Sequence, residues 1–210
     1  MKYFIRDIPV EFPYDAYDCQ KVYMERVIEA LSMGRNALLE SPTGTGKTLC
    51  LLCSALAWRE SLKPQVDKFE AGEVHLHHQA GGTGGGFLNR PPTEALGAHQ
   101  WKSLPTIIYA SRTHSQLQQV IRELKATTYR PQMTVLGSRQ QMCVHPKVSA
   151  MSGIAQNQAC GKLVASQTCF HHLKTKPFMD REGRNLGNQP VDIEDLMQLG
   201  RQGSGGPCPF

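Results

Sequence analysis

The sequence lacks any apolar run long enough to cross a membrane, which takes about 20 consecutive residues. Its longest uncharged apolar run, Leu49–Ala57, falls well short of that length. The first residues also lack the continuous apolar region of a secretory signal. These absences predict an intracellular protein with no membrane partner. The hydrophobic content of 40% is nevertheless enough to bury a core.

Acidic residues are scarce in the middle of the chain. Residues 101–190 carry 12 Lys and Arg against 3 Asp and Glu, whereas residues 1–40 carry 5 against 7. Such a basic excess predicts a polyanionic partner, for which nucleic acid is a common candidate. Taken alone, the same charge could be a solvated basic face that binds nothing.

The seven cysteines lack the paired spacing of common metal sites, and their odd number points to a reducing compartment rather than to disulfides. Cys19, Cys50 and Cys53 lie in apolar helical contexts and are predicted to be core residues. The other four are separated by 16, 8 and 38 residues, a spacing unlike that of zinc knuckles or the bacterial ferredoxin run. These are Cys143, Cys160, Cys169 and Cys208.

Four thiols in a basic, polar and glycine-containing segment gain little from hydrophobic burial, so they suggest a four-coordinate site. Such a set suits either Zn²⁺ or a [4Fe–4S] cluster, and the spacing does not choose between them. Mixed ligation of zinc is a third possibility, because His145, His171 and His172 lie close to the cysteines. Four unrelated thiols are the remaining interpretation.

One motif stands out against these absences: residues 40–48 read E-S-P-T-G-T-G-K-T. Two glycines let successive N–H groups turn inward around a phosphate, and the helix that follows points its positive dipole end at the same anion. The lysine supplies charge to the β- and γ-phosphates, and the threonine hydroxyl is suited to Mg²⁺. The predicted nucleotide-binding residues are Ser41, Thr43, Gly44, Thr45, Gly46, Lys47 and Thr48, the last two with catalytic roles.

Apolar runs and helical periodicity around the motif predict an α/β fold. Residues 36–39, 106–110 and 133–136 have the composition of buried strands. Helices are predicted over 18–33, with Asp18 as N-cap and Gly34 beyond the end, over 49–58 and over 115–125. The stripe facing the core of the first helix is predicted from its spacing: Cys19, Tyr23, Val27 and Leu31. Strand–helix–strand order indicates a doubly wound parallel sheet.

Residues 63–103 interrupt this order. They contain three glycine or proline clusters and the histidines His75, His77 and His78, with no sustained period. A stretch of this length without a pattern predicts a flexible insertion at the surface. Its histidines are interpreted as incidental polar residues rather than metal ligands.

Ligands bind at the carboxyl ends of parallel strands, where three loops are predicted to lie. One is the phosphate loop, and the other two carry small hydroxyls and arginines suited to the phosphates of a nucleic acid strand. The predicted DNA-binding residues are Ser111, Arg112, Thr113, His114, Ser138 and Arg139. Ordinary turns without a ligand are the competing interpretation of these two loops.

In combination, S-P-T-G-T-G-K-T at 41–48, I-I-Y-A-S-R-T-H-S-Q-L at 107–117, L-G-S-R at 136–139, Gln20 and the spaced cysteines resemble the iron–sulfur helicases of superfamily 2, the xeroderma pigmentosum group D type. The resemblance covers nearly the whole chain except residues 63–103. It implies a RecA-like ATP-binding domain over residues 1–139 and an iron–sulfur domain over residues 140–210.

The resemblance also implies roles for particular residues. The four spaced cysteines would hold a [4Fe–4S] cluster, Gln20 would read the adenine edge, and the arginine-bearing loops would line the DNA path. The activity would be ATP- and Mg²⁺-dependent 5′→3′ unwinding of DNA. The DNA partners would be single strands and structured duplexes. The place of action would be the nucleus, in DNA repair, control of recombination and telomere maintenance.

No D-E-A-H box follows the third predicted strand, and the resemblance places a second motor domain beyond it. The chain is therefore expected to be an N-terminal fragment that does not hydrolyse ATP at a useful rate alone. Two other interpretations remain. One is a nucleotide-gated nucleic-acid-binding module with a structural zinc site, and the other is a P-loop kinase or GTPase without DNA affinity.

Overall fold

A computed structural model describes residues 1–70, 103–186, 189–203 and 205–210, and these form two compact units, Met1–Tyr129 and Arg130–Phe210. The boundary predicted between residues 139 and 140 falls inside the second unit. None of the described helices is both long and apolar enough to span a membrane.

The first unit begins with a β-hairpin that the sequence patterns did not predict. Strand β1 (Lys2–Ile5) pairs antiparallel with β2 (Ile8–Glu11). Arg6 and Asp7 form the turn with φ of 49° and 63°. Positive φ at both turn residues gives a two-residue loop the twist of its flanking strands. The hairpin is the only sheet among the described residues.

Four helices complete the described part of the first unit: α1 (Asp18–Ser32), α2 (Lys47–Ser61), α3 (Lys63–Glu70) and α4 (His114–Lys125). Helix α2 packs against α1, β2 and α4, so it is the central element of this unit. The helices predicted over 18–33, 49–58 and 115–125 are thereby confirmed, the second one with additional residues at both ends.

The predicted core face of α1 was wrong by about one residue. The buried side chains are Gln20, Met24, Val27, Ile28 and Ser32, and of the predicted stripe only Val27 is among them. Cys19 is exposed, whereas Cys50 and Cys53 are buried as predicted. One residue is about 100° of rotation on a helix, so Gln20 and Met24 turn inward where Cys19 and Tyr23 were expected. The helix begins at Asp18 itself, and the preceding residue, Tyr17, is its N-cap.

The predicted parallel sheet is not formed by the described residues. Segments 36–39, 106–110 and 133–136 contain no assigned strand. One apolar side chain in each segment lies at the surface, with Leu38 98%, Ile108 84% and Leu136 85% exposed. Composition records only a propensity for strand. A parallel strand also requires partner backbones and helices that cover both faces, which these segments do not find here.

The segment predicted to be a flexible insertion is partly helical, because α3 occupies its first eight residues. The remainder of that prediction, from residue 71 to 102 and with it all three histidines, lies outside the described residues.

The second unit contains α5 (Arg139–Met142), α6 (Gly153–Ala165), α7 (Phe170–Leu186) and α8 (Ile193–Arg201). Helix α5 contacts both α6 and α8. Gln156 of α6 is 1% exposed and donates its amide N–H to the Val148 carbonyl at 3.2 Å. This bond fixes the loop before α6 to the helix. A capping box between Asp192 and Asp195 starts α8.

Candidate functional site

The predicted phosphate loop has the backbone geometry that its glycines allow. Gly44 and Gly46 have φ of 81° and 71°, in the left-handed region that side chains disfavour. Gly46 is the N-cap of the 15-residue helix α2, and its carbonyl accepts the Cys50 N–H at 3.0 Å. The loop therefore leads directly into a helix whose first N–H groups have no intrahelical acceptor. This combination can bind an anion.

Side chains of the loop hold its curvature. Lys47 donates from Nζ to the carbonyls of Ser41 at 2.7 Å and Pro42 at 2.6 Å. The Thr45 hydroxyl donates to the Pro42 carbonyl at 2.9 Å, so the Ser41 hydroxyl, 2.5 Å away, donates to Thr45 Oγ1. Ser41 replaces the glycine of the general motif, and its side chain closes the loop.

Gln20 connects α1 to this loop. Its side-chain oxygen accepts the Tyr17 N–H at 3.0 Å, and its amide nitrogen donates to the Thr45 carbonyl at 3.1 Å. The residue is 8% exposed. The contact to the loop was not foreseen, because sequence reasoning assigned Gln20 only to the adenine. That role stays a prediction, and it would require the amide to exchange at least one of these partners.

Ser111, Arg112, Thr113 and His114, the first group of predicted DNA contacts, are exposed at the start of α4 in the first unit. Thr113 caps this helix, since its hydroxyl accepts the Gln116 N–H at 3.4 Å. The Ser111 hydroxyl donates to the Gln116 side-chain oxygen. The segment thus presents an arginine and a histidine from a helix N-terminus whose backbone is fixed by its own hydroxyls.

The second group, Ser138 and Arg139, starts α5 in the second unit. Ser138 is the N-cap, and its hydroxyl accepts the Gln141 N–H at 3.3 Å. The Arg139 guanidinium lies 4.3 Å from the ring centroid of Phe210 and donates to Asn157 at 3.3 Å. Arg139 Nε is buried and has no hydrogen-bond partner among the residues that the structure describes. As in the first group, DNA contact remains a prediction for these residues.

The second unit brings the four spaced cysteines together. All four line one cavity with His145, His171 and His172, and none is in a disulfide. Cys143 follows α5, Cys160 lies in α6, Cys169 precedes α7 and Cys208 lies in the segment after α8. Residues up to 65 positions apart therefore share one wall.

The thiols of this cavity influence one another. Burial raises the pKa of Cys143 and of Cys208, and the neighbouring cysteines raise both pKa values further. Backbone hydrogen bonds from His145 to Cys143 and from Phe210 to Cys208 oppose the rise. Several thiolates here would repel one another unless a cation were bound between them, and deprotonated thiolates are the form that binds metal.

The cavity is not a site for one metal ion as its side chains stand. In the described part of the chain, no three His, Cys, Asp or Glu side chains converge closely enough to hold a single ion. Four thiolates around one zinc would be about 3.8 Å apart, given a Zn–S bond of about 2.3 Å. The four cysteines line one cavity without forming such a single-ion site among the described residues.

A segment that sequence reasoning did not single out lies beside these thiols. Residues 205–208 contact His171, Lys174 and Thr175 of α7 through their backbone. In the sequence, the signal for such close packing is the pair Gly205 and Gly206 shortly before Cys208, because glycine allows two backbones to approach closely. Any substituent on Gly206 would meet the Leu199 carbonyl oxygen at 2.0 Å.

Two family models match the chain. Residues 22–153 match the DEAD/DEAH box helicase family, and residues 109–210 match the model described as DEAD_2. Because the first match covers more than half of the sequence, the chain belongs to the DEAD/DEAH box helicase family. Membership implies a RecA-like P-loop fold.

Relatives include proteins named Regulator of telomere elongation helicase 1 or its homolog. The one from Oryza sativa subsp. japonica is 54% identical over 99% of this chain and 21% of its own length. That from Arabidopsis thaliana is 45% identical over 99% and 19%, and that from Mus musculus 42% identical over 98% and 17%. The chain spans about a fifth of the length of these relatives.

Proposed function

We propose that the chain forms the nucleotide-binding part of the motor of an ATP-dependent DNA helicase. The observation that carries the proposal is the left-handed loop at Gly44 and Gly46, which delivers Lys47 to the start of α2. In such a loop a polyphosphate would accept from the backbone N–H groups and would bring negative charge to the lysine. The similarity to helicases named for telomere elongation supports a nuclear role in telomere maintenance, with DNA repair and control of recombination beside it.

Lys47 and Thr48 would act on the nucleotide. The Lys47 ammonium donates to two loop carbonyls. When a nucleotide binds, it would contact the β- and γ-phosphates instead. Thr48 stands one residue further into α2 and has the hydroxyl suited to Mg²⁺. The metal would neutralise phosphate charge during transfer. Thr43 and Thr45 line the same loop, where Thr45 keeps its curvature.

The surface charge and the exposed residues before α4 support DNA as the partner. Arg112 is exposed next to the capped N-terminus of α4, and residues 101–190 carry a large excess of cations. Contacts to phosphate release counterions, so binding should weaken steeply with salt. Arg112→Ala should weaken binding to all DNA sequences and lower the salt slope by about one. A P-loop kinase or GTPase would have no such slope.

A [4Fe–4S] cluster is the cofactor that the cysteine cavity supports best. The donor set fits, because four free thiols line one cavity, where burial and then the neighbouring cysteines raise the pKa of Cys143 and of Cys208. The resemblance to iron–sulfur helicases favours the cluster over zinc. The residues that would hold it are Cys143, Cys160, Cys169 and Cys208. The cluster would serve as a structural cross-link within an inserted domain, which we place over residues 140–210.

Unwinding by the full-length protein tests the proposal. Wild type should separate a duplex with a 5′ single-stranded tail, and Lys47→Ala should abolish the activity. Lys63→Ala is the matched control, because Lys63 is exposed and its ion pair in the described part of the chain is with Glu60 at 3.8 Å, away from the phosphate loop. Unwinding that survives Lys47→Ala would refute the role of the loop.

The same experiment distinguishes the helicase from the second candidate, a nucleotide-gated nucleic-acid-binding module with structural zinc. Under that alternative the wild-type protein binds DNA, responds to nucleotide and unwinds no duplex. Activity only on a duplex with a 3′ tail would leave the motor in place and contradict the proposed direction.

A further inference from the structure

The segment that carries Cys208 is held by its backbone against one face of α7. Lys174 donates from Nζ to the Gly205 carbonyl at 2.6 Å, and His171 Nδ1 lies 2.8 Å from the Gly206 carbonyl oxygen. The Cys208 N–H donates to the His171 carbonyl at 2.9 Å and to the Thr175 hydroxyl at 3.2 Å. Positions 171, 174 and 175 are neighbours on one helix face, so they act on the segment together.

The end of α8 presses on the same segment. The Gly206 N–H donates to the Gly200 carbonyl at 2.9 Å. A Cβ on Gly200 would lie 2.9 Å from Pro209 Cγ. Cys208 therefore receives its position from backbone contacts to two helices, and its side chain is left to face the cavity.

Thr175 has a defined part in this arrangement. Its hydroxyl donates to the His171 carbonyl at 3.2 Å and accepts the Cys208 N–H. Thr175 carries no charge and does not line the cavity of the cysteines. It is thus separable from His171, which lines the cavity, and from Lys174, whose ammonium also lies 3.9 Å from the Phe170 ring centroid.

We propose that Thr175 is a positioning residue for the thiol of Cys208, acting through the hydrogen bond from the Cys208 N–H to its hydroxyl. The proposal rests on the cysteine cluster of the proposed function. A thiolate that is already in place loses less conformational entropy when it binds, and its release is slower. Without the hydroxyl, the Cys208 N–H keeps only the His171 carbonyl, and the segment should leave the cavity wall more often.

A matched pair of variants tests this role. Thr175→Val keeps the shape of the side chain and removes the hydroxyl, whereas Thr175→Ser keeps the hydroxyl. The first measurement is the rate at which anaerobically purified full chain loses iron to a chelator, followed by visible absorbance. The second is the rate at which iodoacetamide modifies Cys208 in metal-stripped protein, measured by peptide mass spectrometry with exposed Cys19 as the reference.

We expect Thr175→Val to accelerate both rates roughly 2- to 10-fold, the range that the loss of one neutral hydrogen bond gives. Thr175→Ser should stay close to wild type. Equal rates in wild type and Thr175→Val, or equal acceleration by both variants, would overturn the proposal. Modification of buried Cys53 reports unfolding of the first unit, which the variants do not touch, and should remain slow in each variant.

A second variant displaces the same segment by another route. Gly206→Ala places a Cβ 2.0 Å from the Leu199 carbonyl oxygen, so residues 205–208 must move. Faster Cys208 modification in Gly206→Ala, without an effect of Thr175→Val, would assign the positioning to α8 and refute the role of Thr175. If purified wild type contains no iron, the proposed cluster fails, while the modification rates of stripped protein still decide the role of Thr175.

Discussion

The contact between Gln20 and the phosphate loop makes a quantitative prediction about two neighbouring glycines. Gly44 and Gly46 have similar positive φ, 81° and 71°. A Cβ on Gly44 would meet no atom of the described residues within 4 Å beyond its chain neighbours, whereas a Cβ on Gly46 would lie 2.8 Å from Gln20 Nε2. The two alanine substitutions therefore share the backbone strain and differ in the clash with Gln20.

The expected free energies of unfolding follow from these distances. Gly44→Ala should cost about 1–2 kcal/mol, the strain of a left-handed residue with a side chain. Gly46→Ala adds the displacement of the Gln20 amide from the Thr45 carbonyl, worth about 1–2 kcal/mol more because a buried polar group loses its partner. Its total cost should be about 2–4 kcal/mol.

A double-mutant cycle isolates the clash. In a Gln20→Ala background the obstructing amide is gone, so the cost of Gly46→Ala should fall to about that of Gly44→Ala. Urea unfolding followed by far-UV circular dichroism measures each free energy. The reasoning is refuted if Gly46→Ala costs no more than Gly44→Ala in wild type, or if its cost is unchanged when Gln20 is alanine.

Two further predictions concern the core of the first unit. Burial raises the pKa of Cys53 to about 12, of Cys50 to about 11 and of Tyr129 to about 12, so the folded state retains protons that the unfolded chain releases. Stability should be fully present below about pH 9 and fall between pH 9 and 12, by about 1.4 kcal/mol per pH unit for each ionising group. The loss of unfolding free energy between pH 8 and pH 10, measured by urea unfolding, should be smaller in Cys53→Ala than in wild type. An equal loss in both proteins would contradict the raised pKa of Cys53. Met24→Ala should cost about 2–5 kcal/mol because Met24 is fully buried. Cys19→Ser should change the unfolding free energy by no more than about 0.5 kcal/mol, because Cys19 is exposed. If thermal unfolding showed Cys19→Ser to be more destabilising than Met24→Ala, the core face predicted from the sequence would be correct instead.

Helices of the first unit were predictable because their signals are local. The period of apolar residues, a glycine past the end of α1 and a phosphate motif before α2 placed three helices close to their observed bounds. The predicted core face of α1 was wrong. Gln20 turns inward because its amide finds two backbone partners, and hydropathy alone gives no sign of such a contact.

The predicted strands failed for a physical reason that a single sequence does not reveal. Leu38 and Ile108 stand in apolar runs, yet a strand is defined by the backbones beside it, and the described residues supply none to these runs. The hairpin at the N-terminus was missed for the opposite reason. Its turn is Arg6-Asp7, without the glycine or asparagine that normally signals two positive φ values.

The candidate sites were predicted unequally well. The phosphate loop could be recognised as one contiguous motif, and the structure gives it the expected left-handed glycines. The cysteines could be selected by their polar surroundings, and the second unit gathers them around one cavity. Thr175 could not be found from sequence, because its role depends on a backbone N–H 33 residues away.

The metal content of anaerobically purified protein tests the central claim most directly. The account predicts a brown protein with about four iron and four sulfide per chain, and loss of both in Cys169→Ser. A colourless protein that carries one zinc ion, or a Cys169→Ser variant that keeps its full iron content, would contradict it.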